Sequence, residues 1–149
     1  MSEHAPAAVY RLMYTSHSRI PTADRPTVLV DLFRQARSHN RAAGITGALL
    51  ITDHYFVQVL EGAQEAVDAL YGRIGADRRH EAVTLVERAY AVPRVFAGWA
   101  MAEVSAMGRA DIPLHVSDGE LRPRAATRTS PAQEQVLTRM RNMIGADTV

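Results

Sequence analysis

The spacing of apolar positions changes along the chain from every second residue to every third or fourth, which predicts strands and helices in turn. β-branched, aromatic and long apolar residues fill positions 9–14 and predict a first strand. A polar, proline-containing loop is expected over residues 15–26. Residues 45–52 and 55–61 predict two more strands, and the short connection Asp53-His54 between them indicates a hairpin.

Two segments show the helical period. After Pro26, one face carries an apolar stripe and the opposite face is polar. The stripe consists of Val28, Leu29, Leu32, Phe33 and Ala36, and the polar face of Asp31, Arg34, Arg37 and Ser38. Asn40 continues the stripe, and Gly44 predicts the end of this helix. Residues 63–74 repeat the pattern and predict a second amphipathic helix that ends near Gly75.

The C-terminal third is less regular. Residues 82–92 alternate loosely and predict a fourth strand, and residues 96–101 predict a short fifth strand with Trp99 and Met101 on the same side. Residues 102–129 are rich in Pro, Gly and Arg and are expected to be mostly irregular. A last helix is predicted over about 131–144, because Ser130 and Gln133 form a capping box around Pro131.

The predicted order is therefore βαββαββ, an α+β fold followed by a helical extension. Each of the first two helices has a single apolar stripe to bury, so both are expected to cover one face of a mixed sheet. Gly44 and Gly47 are too few and wrongly spaced for a phosphate-binding loop. We interpret them as a helix stop and a position of close packing.

Composition narrows the classes of partner. With 149 residues, 47% of them hydrophobic, the chain has the size and core of one domain. The formal net charge of +1 gives no basic field that would attract nucleic acid or a membrane surface. Cysteine is absent, and the six histidines show no metal-ligand spacing. No signal peptide or membrane-spanning run is recognisable. We expect a soluble cytoplasmic protein without a metal site.

Three uncharged polar residues lie where apolar ones would be typical. Gln58 is in the middle of a predicted buried strand, Tyr14 follows another strand, and Asn40 ends the apolar stripe of the first helix. A buried amide without partners costs roughly 1 to 3 kcal/mol, so Gln58 is expected to be hydrogen-bonded. None of the three is a base or a strong nucleophile at pH 7. The set favours holding a heterocycle over cleaving a bond.

Each of these signals has a purely structural alternative. Gln58 can bond a loop backbone, Asn40 can cap a helix, and Tyr14 can be half-exposed at a strand end. Asp53, His54 and Glu61 are close in sequence, but no nucleophile accompanies them. The run 77–80 can be a solvated turn or a phosphate contact, and Trp99 with Met101 can be ordinary core.

Five motifs in order give the chain a resemblance to a known family. They are Leu12-Met13-Tyr14-Thr15-Ser16, His39-Asn40 with Gly44-Ile45-Thr46-Gly47-Ala48-Leu49, Phe56-Val57-Gln58-Val59-Leu60-Glu61-Gly62, Asp77-Arg78-Arg79-His80 and Phe96-Ala97-Gly98-Trp99-Ala100-Met101. The chain resembles a BLUF domain, the blue-light sensor that uses flavin. The resemblance implies a ferredoxin-like flavin-binding domain over residues 9–104 and a C-terminal extension over residues 105–149.

The resemblance also implies roles for individual residues. FAD, or alternatively FMN or riboflavin, would be held non-covalently between the two helices. Asn40 would bond the polar edge of its ring, and Gln58 would lie between Tyr14 and the ring. Tyr14 would give an electron and then a proton to the excited flavin, and their return would leave Gln58 in a changed hydrogen-bonded form that shifts absorption to the red. Ile74 would flank the ring.

Four further positions follow from the same resemblance. Arg79 and His80 would lie near the polar tail of the cofactor, and Trp99 and Met101 would relay the signal from Gln58 to the C-terminal extension. The sequence does not say which of that pair faces the flavin. Family members often have a serine one turn before the asparagine. Ala36 stands there in this chain, so we expect dark recovery or the placement of Trp99 to differ.

The implied function is a stand-alone blue-light photoreceptor. Residues 105–149 are too few for a cyclase, a phosphodiesterase or a DNA-binding domain, so we expect no enzymatic activity and an output through a downstream effector protein or a homo-oligomer. The last helix can present that output, or it can simply cover the back of the sheet. A light-insensitive interaction module on the same scaffold is the alternative function. A small flavin or acyl-group enzyme lacks a candidate base near the predicted ring.

Overall fold

A computed structural model describes residues 8–52, 54–97, 99, 101–104, 114–117, 120–123 and 130–145. In chain order the elements are β1 (Ala8–Ser18), α1 (Arg25–Ala43), β2 (Thr46–Ile51), β3 (Tyr55–Gly62), α2 (Gln64–Gly75), β4 (His80–Pro93), β5 (Ala102–Val104), β6 (Leu114–Ser117), β7 (Glu120–Pro123) and α3 (Pro131–Gly145). No helix among these residues is long and apolar enough to cross a membrane.

The main sheet has five strands in the order β4-β1-β3-β2-β5. β1 lies between β3 and β4 and is antiparallel to both, β2 and β3 form an antiparallel pair, and β5 is parallel to β2. In each βαβ unit, one strand lies between the two strands that the helix connects: β3 lies between β1 and β2, and β1 lies between β3 and β4. This order is the ferredoxin-like arrangement of the predicted α+β fold, which is confirmed.

The two faces of the sheet bury different sets of side chains, since neighbouring residues on a strand point to opposite sides. The first set packs beneath α1 and α2, and we call that side the helix face; it includes Leu12, Tyr14, Phe56 and Leu60. The second set packs beneath α3, and we call that side the back face. Its members are Met13, Ala48, Leu50, Val57, Val59, Phe96, Trp99, Ala102, Val136, Leu137 and Met140.

The backbone requires glycine at positions 44 and 47. Gly44 adopts a left-handed conformation (φ 70°) that ends α1, and its amide bonds the last turn of that helix. A Cβ on Gly47 would lie 2.0 Å from the carbonyl oxygen of Val59 on the adjacent strand. The helix stop and the close-packing position predicted from sequence are both present.

The described residues of the predicted fifth strand, 96, 97, 99 and 101, do not form a strand, and Gly98 and Ala100 lie outside the described residues. The Trp99 amide donates to the Phe96 carbonyl at 2.9 Å, which makes a turn, and regular pairing with β2 begins only at Ala102. The described residues of the tail include two short strands, β6 and β7, that pair in antiparallel orientation, whereas an irregular segment was expected there. β1 extends past its predicted end to Ser18, and β4 is longer at both ends than predicted.

The last helix begins as predicted. The Gln133 amide donates to Ser130 Oγ at 3.1 Å and the Ser130 amide donates to Gln133 Oε1 at 2.9 Å, which is the reciprocal capping box. Met140 is fully buried against the back face, whereas Met143 of the same predicted stripe is 37% exposed. The helix thus covers the back of the sheet, one of the two roles expected for it.

One prediction about α1 is wrong. Arg37, assigned to the polar face of the helix, is only 3% exposed and reaches the backbone carbonyl of Met101. A long arginine side chain can bury its apolar stem and still place its guanidinium against an acceptor. The hydrophobic pattern of the helix contains no sign of an acceptor that comes from 64 residues later in the chain.

Candidate functional site

A cavity of about 260 Å³ opens between α1, α2 and the helix face of the sheet. Its walls combine aliphatic and aromatic side chains with a few polar groups. They are Tyr14, Leu32, Gln35, Ala36, His39, Asn40, Leu49, Phe56, Gln58, Leu70, Arg73, Ile74, Asp77, Arg79 and His80. A mostly apolar cavity with few convergent polar groups is the usual form of a small-molecule site.

Tyr14 and Gln58 lie side by side on adjacent strands. They are direct partners in the antiparallel register of β1 and β3, and both side chains point into the cavity wall. The Tyr14 hydroxyl donates a hydrogen bond to Gln58 Oε1. On its other side, Gln58 Nε2 donates to the sulfur of Met101 at 3.4 Å. Gln58, predicted to need partners, therefore has one at each end of its amide.

Tyr14 is held as a neutral phenol. Burial raises the pKa of its hydroxyl well above the ordinary value of 10.0, and the nearby Tyr71 and Asp77 raise it further. The ring of Tyr71 on α2 packs against Tyr14 with centroids 5.6 Å apart. Tyr14 thus keeps its proton at physiological pH, and its hydroxyl donates that proton in the hydrogen bond to Gln58 Oε1.

Asn40 reaches the cavity from the last turn of α1. Its backbone carbonyl accepts from the Ile45 amide at 2.8 Å, which fixes the helix end, while its side chain is 1% exposed and lines the cavity. Ala36, one turn earlier, lines the same wall and offers no donor or acceptor beyond its backbone. The polar set predicted from the sequence, Tyr14, Asn40 and Gln58, therefore converges on one cavity.

His80 is fixed by two contacts at the far end of the cavity. Its Nε2 lies 2.5 Å from the Ile74 carbonyl and its Nδ1 lies 2.8 Å from the hydroxyl of Ser16. A carbonyl accepts only, so Nε2 carries a proton, and a neutral ring then accepts the Ser16 proton at Nδ1. The imidazole ties the end of α2 to β1, and it also packs edge-on against Tyr14.

Arg79 and Asp77 form an ion pair beside His80. Arg79 Nε donates to both carboxylate oxygens, at 2.9 and 3.1 Å, and the Arg79 amide donates to Oδ1 at 2.9 Å. These hydrogen bonds from Arg79 hold the pKa of Asp77 below its ordinary value of 3.8. Both side chains remain about one-third exposed. The guanidinium therefore stands at the rim of the cavity with its charge partly neutralised.

Trp99 and Met101 lie on opposite faces of the sheet, contrary to the prediction that they share a side. Met101 is 1% exposed on the helix face against Gln58, whereas Trp99 packs on the back face with Phe96 at a ring-centroid distance of 5.2 Å. The alternation rule fails here because the preceding residues form a turn. Of the two, Met101 is the one on the helix face, where its sulfur contacts the cavity-lining Gln58.

A buried carboxylate at the end of β3 was not recognised from the sequence as structural. Glu61 is fully buried and accepts hydrogen bonds from the Val95 and Phe96 amides at 2.7 and 2.8 Å. Arg11 on β1 lies 3.4 Å from the same carboxylate and also donates to the Pro93 carbonyl at 3.1 Å. The sequence feature that could have indicated this role is the position of Glu61, a charged residue directly after the apolar residues Val59 and Leu60. This network fixes the turn that leads to Trp99 and Met101.

The described site residues favour hydrogen-bond exchange over bond cleavage. The Tyr14 hydroxyl and the Gln58 amide provide a proton donor and a group that can both give and accept, and none of the described residues forms a metal-binding cluster. Aliphatic side chains such as Leu32, Leu70 and Ile74 provide flat apolar contact. These properties fit a planar heterocycle with polar atoms along one edge, as flavin has.

Comparison with known proteins supports the same reading. A family model described as "Sensors of blue-light using FAD" matches residues 9–102. The chain belongs to the BLUF family. The photoactivated adenylate cyclase subunit beta of Euglena gracilis is 36% identical over 91 residues, which is 61% of this chain and 11% of that relative. The chain thus spans about a tenth of the length of the curated relatives it matches.

Solved BLUF structures share the fold. BlrB, described as a BLUF protein in its dark state, is 28% identical with a TM-score of 0.66, and the match covers 95% of this chain and 98% of BlrB. BlsA in its photo-activated state is 33% identical with a TM-score of 0.62 over 65% of this chain and 69% of BlsA. The chain therefore has the fold of the BLUF family, whose members are described as sensors of blue light that use FAD.

Proposed function

We propose that this chain is a blue-light photoreceptor that binds flavin non-covalently and signals to a partner protein. The observation that carries the proposal is the continuous contact from the Tyr14 hydroxyl to the Gln58 amide in the cavity wall, and from that amide to the Met101 sulfur behind it. An amide is the side chain whose donor and acceptor ends can be exchanged at almost constant shape, so such a chain of contacts can have two states.

The cofactor we propose is FAD, with FMN and riboflavin as alternatives. The cavity volume of about 260 Å³ lies below the roughly 300–1,000 Å³ typical of drug-sized ligands, so we propose that it holds the ring of the cofactor and that the tail extends beyond it. Asn40 would bond the polar edge of the ring and Ile74 would flank its face. Arg79 and His80 would lie toward the tail. Arg79 also bonds Asp77, and His80 also bonds Ser16 and Ile74. We therefore propose that they contact the cofactor while keeping these bonds, or that they only shape its site.

A bound flavin supplies the absorption of blue light and an acceptor for one electron. Tyr14 would lose an electron and pass its hydroxyl proton along the existing hydrogen bond to Gln58 Oε1. The return of the electron and the proton would leave Gln58 with different atoms donating and accepting. Since Gln58 Nε2 contacts the Met101 sulfur, a change at the amide would alter the contact with Met101 first.

We infer that the output leaves through Met101, Trp99 and α3 to an effector protein, without enzymatic activity of the chain itself. Trp99 shares the back-face cluster with Val136, Leu137 and Met140 of α3. Gln133 at the start of α3 also donates to the Val95 carbonyl at 3.0 Å, just before this segment. A homo-oligomer and a cytoplasmic location remain part of the proposal.

A light-minus-dark difference spectrum of the purified, flavin-loaded chain tests the proposal. We expect a reversible shift of the flavin absorption to longer wavelength under blue light. A protein that stays colourless after reconstitution, or that binds flavin without the shift, would contradict the photoreceptor and favour a light-insensitive interaction module. Reconstitution with FAD, FMN and riboflavin in parallel identifies the cofactor form by the fraction bound.

A further inference from the structure

Arg37 is a buried cation with an unusual acceptor. Its side chain enters the helix face from α1, one helical turn before Asn40, and is only 3% exposed. Two of its nitrogens, Nε at 3.2 Å and Nη2 at 2.9 Å, donate to the same atom, the backbone carbonyl oxygen of Met101. A charged donor makes a stronger hydrogen bond than a neutral one, and burial strengthens it further.

Met101 is thereby held from two sides. Arg37 fixes its backbone carbonyl, and Gln58 Nε2 contacts its sulfur at 3.4 Å. The two contacts differ in kind, because a thioether sulfur is a weak acceptor whereas a carbonyl oxygen bound by guanidinium is a strong one. A change in the Gln58 amide can release the sulfur without releasing the backbone.

The backbone next to Met101 is tied to the sheet on both sides. Before β5 begins, the described ties of this segment to the rest of the sheet include the hydrogen bond from the Gly47 amide to the Trp99 carbonyl at 2.9 Å. Pairing with β2 starts at Ala102. The contact with Arg37 thus lies at the junction between the turn and β5, where the direction of the Met101 side chain is set.

We propose that Arg37 is a positioning residue that keeps the Met101 sulfur against Gln58 and Trp99 on the back face. It acts through the backbone carbonyl of Met101. The proposal rests on the proposed photoreceptor function for its kinetic consequence, since a loosened Met101 changes how Gln58 returns to its dark state. Its structural consequence, the placement of Trp99, holds with or without a photocycle.

The test compares three variants of the full, flavin-loaded chain. Arg37→Met removes the donors and keeps the length of the side chain, Arg37→Lys keeps the charge and one donor group, and Arg34→Met makes the same change at an exposed position on the same helix. Trp99 is the sole tryptophan, so tryptophan emission reports its surroundings alone. The readouts are dark-recovery rate, the size of the red shift, and Trp99 emission in the dark.

We expect Arg37→Met to keep the red shift but to change the dark-recovery rate several-fold and to alter Trp99 emission. Arg37→Lys should lie between it and the parent, and Arg34→Met should match the parent. Parental recovery and emission in Arg37→Met would overturn the proposal. If Arg37→Met fails to load flavin, the test uses Arg37→Lys instead. A dark-recovery rate and a Trp99 emission equal to those of the parent in Arg37→Lys would then overturn the proposal.

The two proposals fail in different ways. Loss of the red shift in the parent chain contradicts the photoreceptor function, and Trp99 emission still tests Arg37 in that case. A parent with a normal photocycle and an Arg37→Met variant identical to it contradicts only the positioning role. Loss of fold in Arg37→Met with parental behaviour in Arg37→Lys would also count against positioning, because it indicates a purely structural cation.

Discussion

The helix face and the back face of the same sheet differ in what they contain. The helix face places Tyr14, Gln58 and Asn40 around an open cavity, whereas the back face is an apolar cluster closed by Leu137 and Met140 of α3. Both faces use the same strands, since successive residues of β3 point to opposite sides. The comparison teaches that chemistry and stability can be changed separately in this molecule, even at adjacent positions.

The largest effect is expected from Gln58→Leu. Leucine preserves the volume but removes both ends of the amide, so we expect complete loss of the reversible red shift with flavin still bound. The difference spectrum measures this. Gln64→Leu, at an exposed position on α2, is the matched control and should keep the shift. A Gln58→Leu protein with the parental light spectrum would remove the basis of the mechanism.

Tyr14→Phe is expected to bind flavin and lose the normal photocycle. The ring remains, so packing on the helix face is retained, but the hydroxyl that donates to Gln58 is gone. Illuminated absorption spectra over time measure the loss. Tyr55→Phe on β3, where the ring packs against His17, is the control and should behave as the parent. Parental kinetics in Tyr14→Phe would exclude Tyr14 as the donor.

On the back face the expected effect is on stability. Leu137 is fully buried, and Leu→Ala in a core typically costs about 2–5 kcal/mol of unfolding free energy. We therefore expect Leu137→Ala to lower the urea midpoint strongly while the size of the red shift stays parental. Thr138→Ala, on the exposed side of α3, is the control. Loss of the shift in folded Leu137→Ala would show that the two faces are coupled more tightly than proposed.

The smallest effect is expected at the rim of the cavity. Because the folded-state pKa of Asp77 is lowered, its contribution to stability is present above the ordinary value of 3.8 and is lost as pH falls through the folded pKa. For a pair about one-third exposed, about 0.2–1 kcal/mol is expected. Urea unfolding of Asp77→Asn should show this loss at pH 7 and a smaller one near pH 3.5.

Glu65→Gln, an exposed carboxylate on α2, controls for the change in net charge in that experiment. An Asp77→Asn effect that stays the same from pH 7 to pH 3.5 would show that the ion pair with Arg79 is not its source. A much larger effect at pH 7 would indicate that the rim is more deeply desolvated than its exposure suggests.

Sequence periodicity was sufficient for most elements of the fold. The stripes of α1 and α2, the β2–β3 hairpin and the capping box of α3 depend on local patterns that the structure repeats. Gln58 and Asn40 could be singled out because an amide among apolar neighbours has to find partners. Asp53 of the predicted hairpin turn lies outside the described residues.

The remaining features depend on contacts between distant segments. Arg37 was predicted to be an exposed charge, because no residue near it in the sequence indicates a contact with the Met101 carbonyl. Glu61 looked like the polar end of a strand, since its partners Val95 and Phe96 come more than thirty residues later. The orientation of Met101 follows from the turn just before it. Local patterns contain none of this information, because it arises only once the sheet has formed.

The carboxylate of Glu61 has a further consequence for how movement can spread. It anchors the Val95 and Phe96 amides to the central strand β3, and Arg11 holds Pro93 to the same point. We therefore expect a displacement of the Met101 side chain to leave the backbone at Val95 and Phe96 anchored to β3. The end of β4 would then keep its place while the contacts of Met101 change.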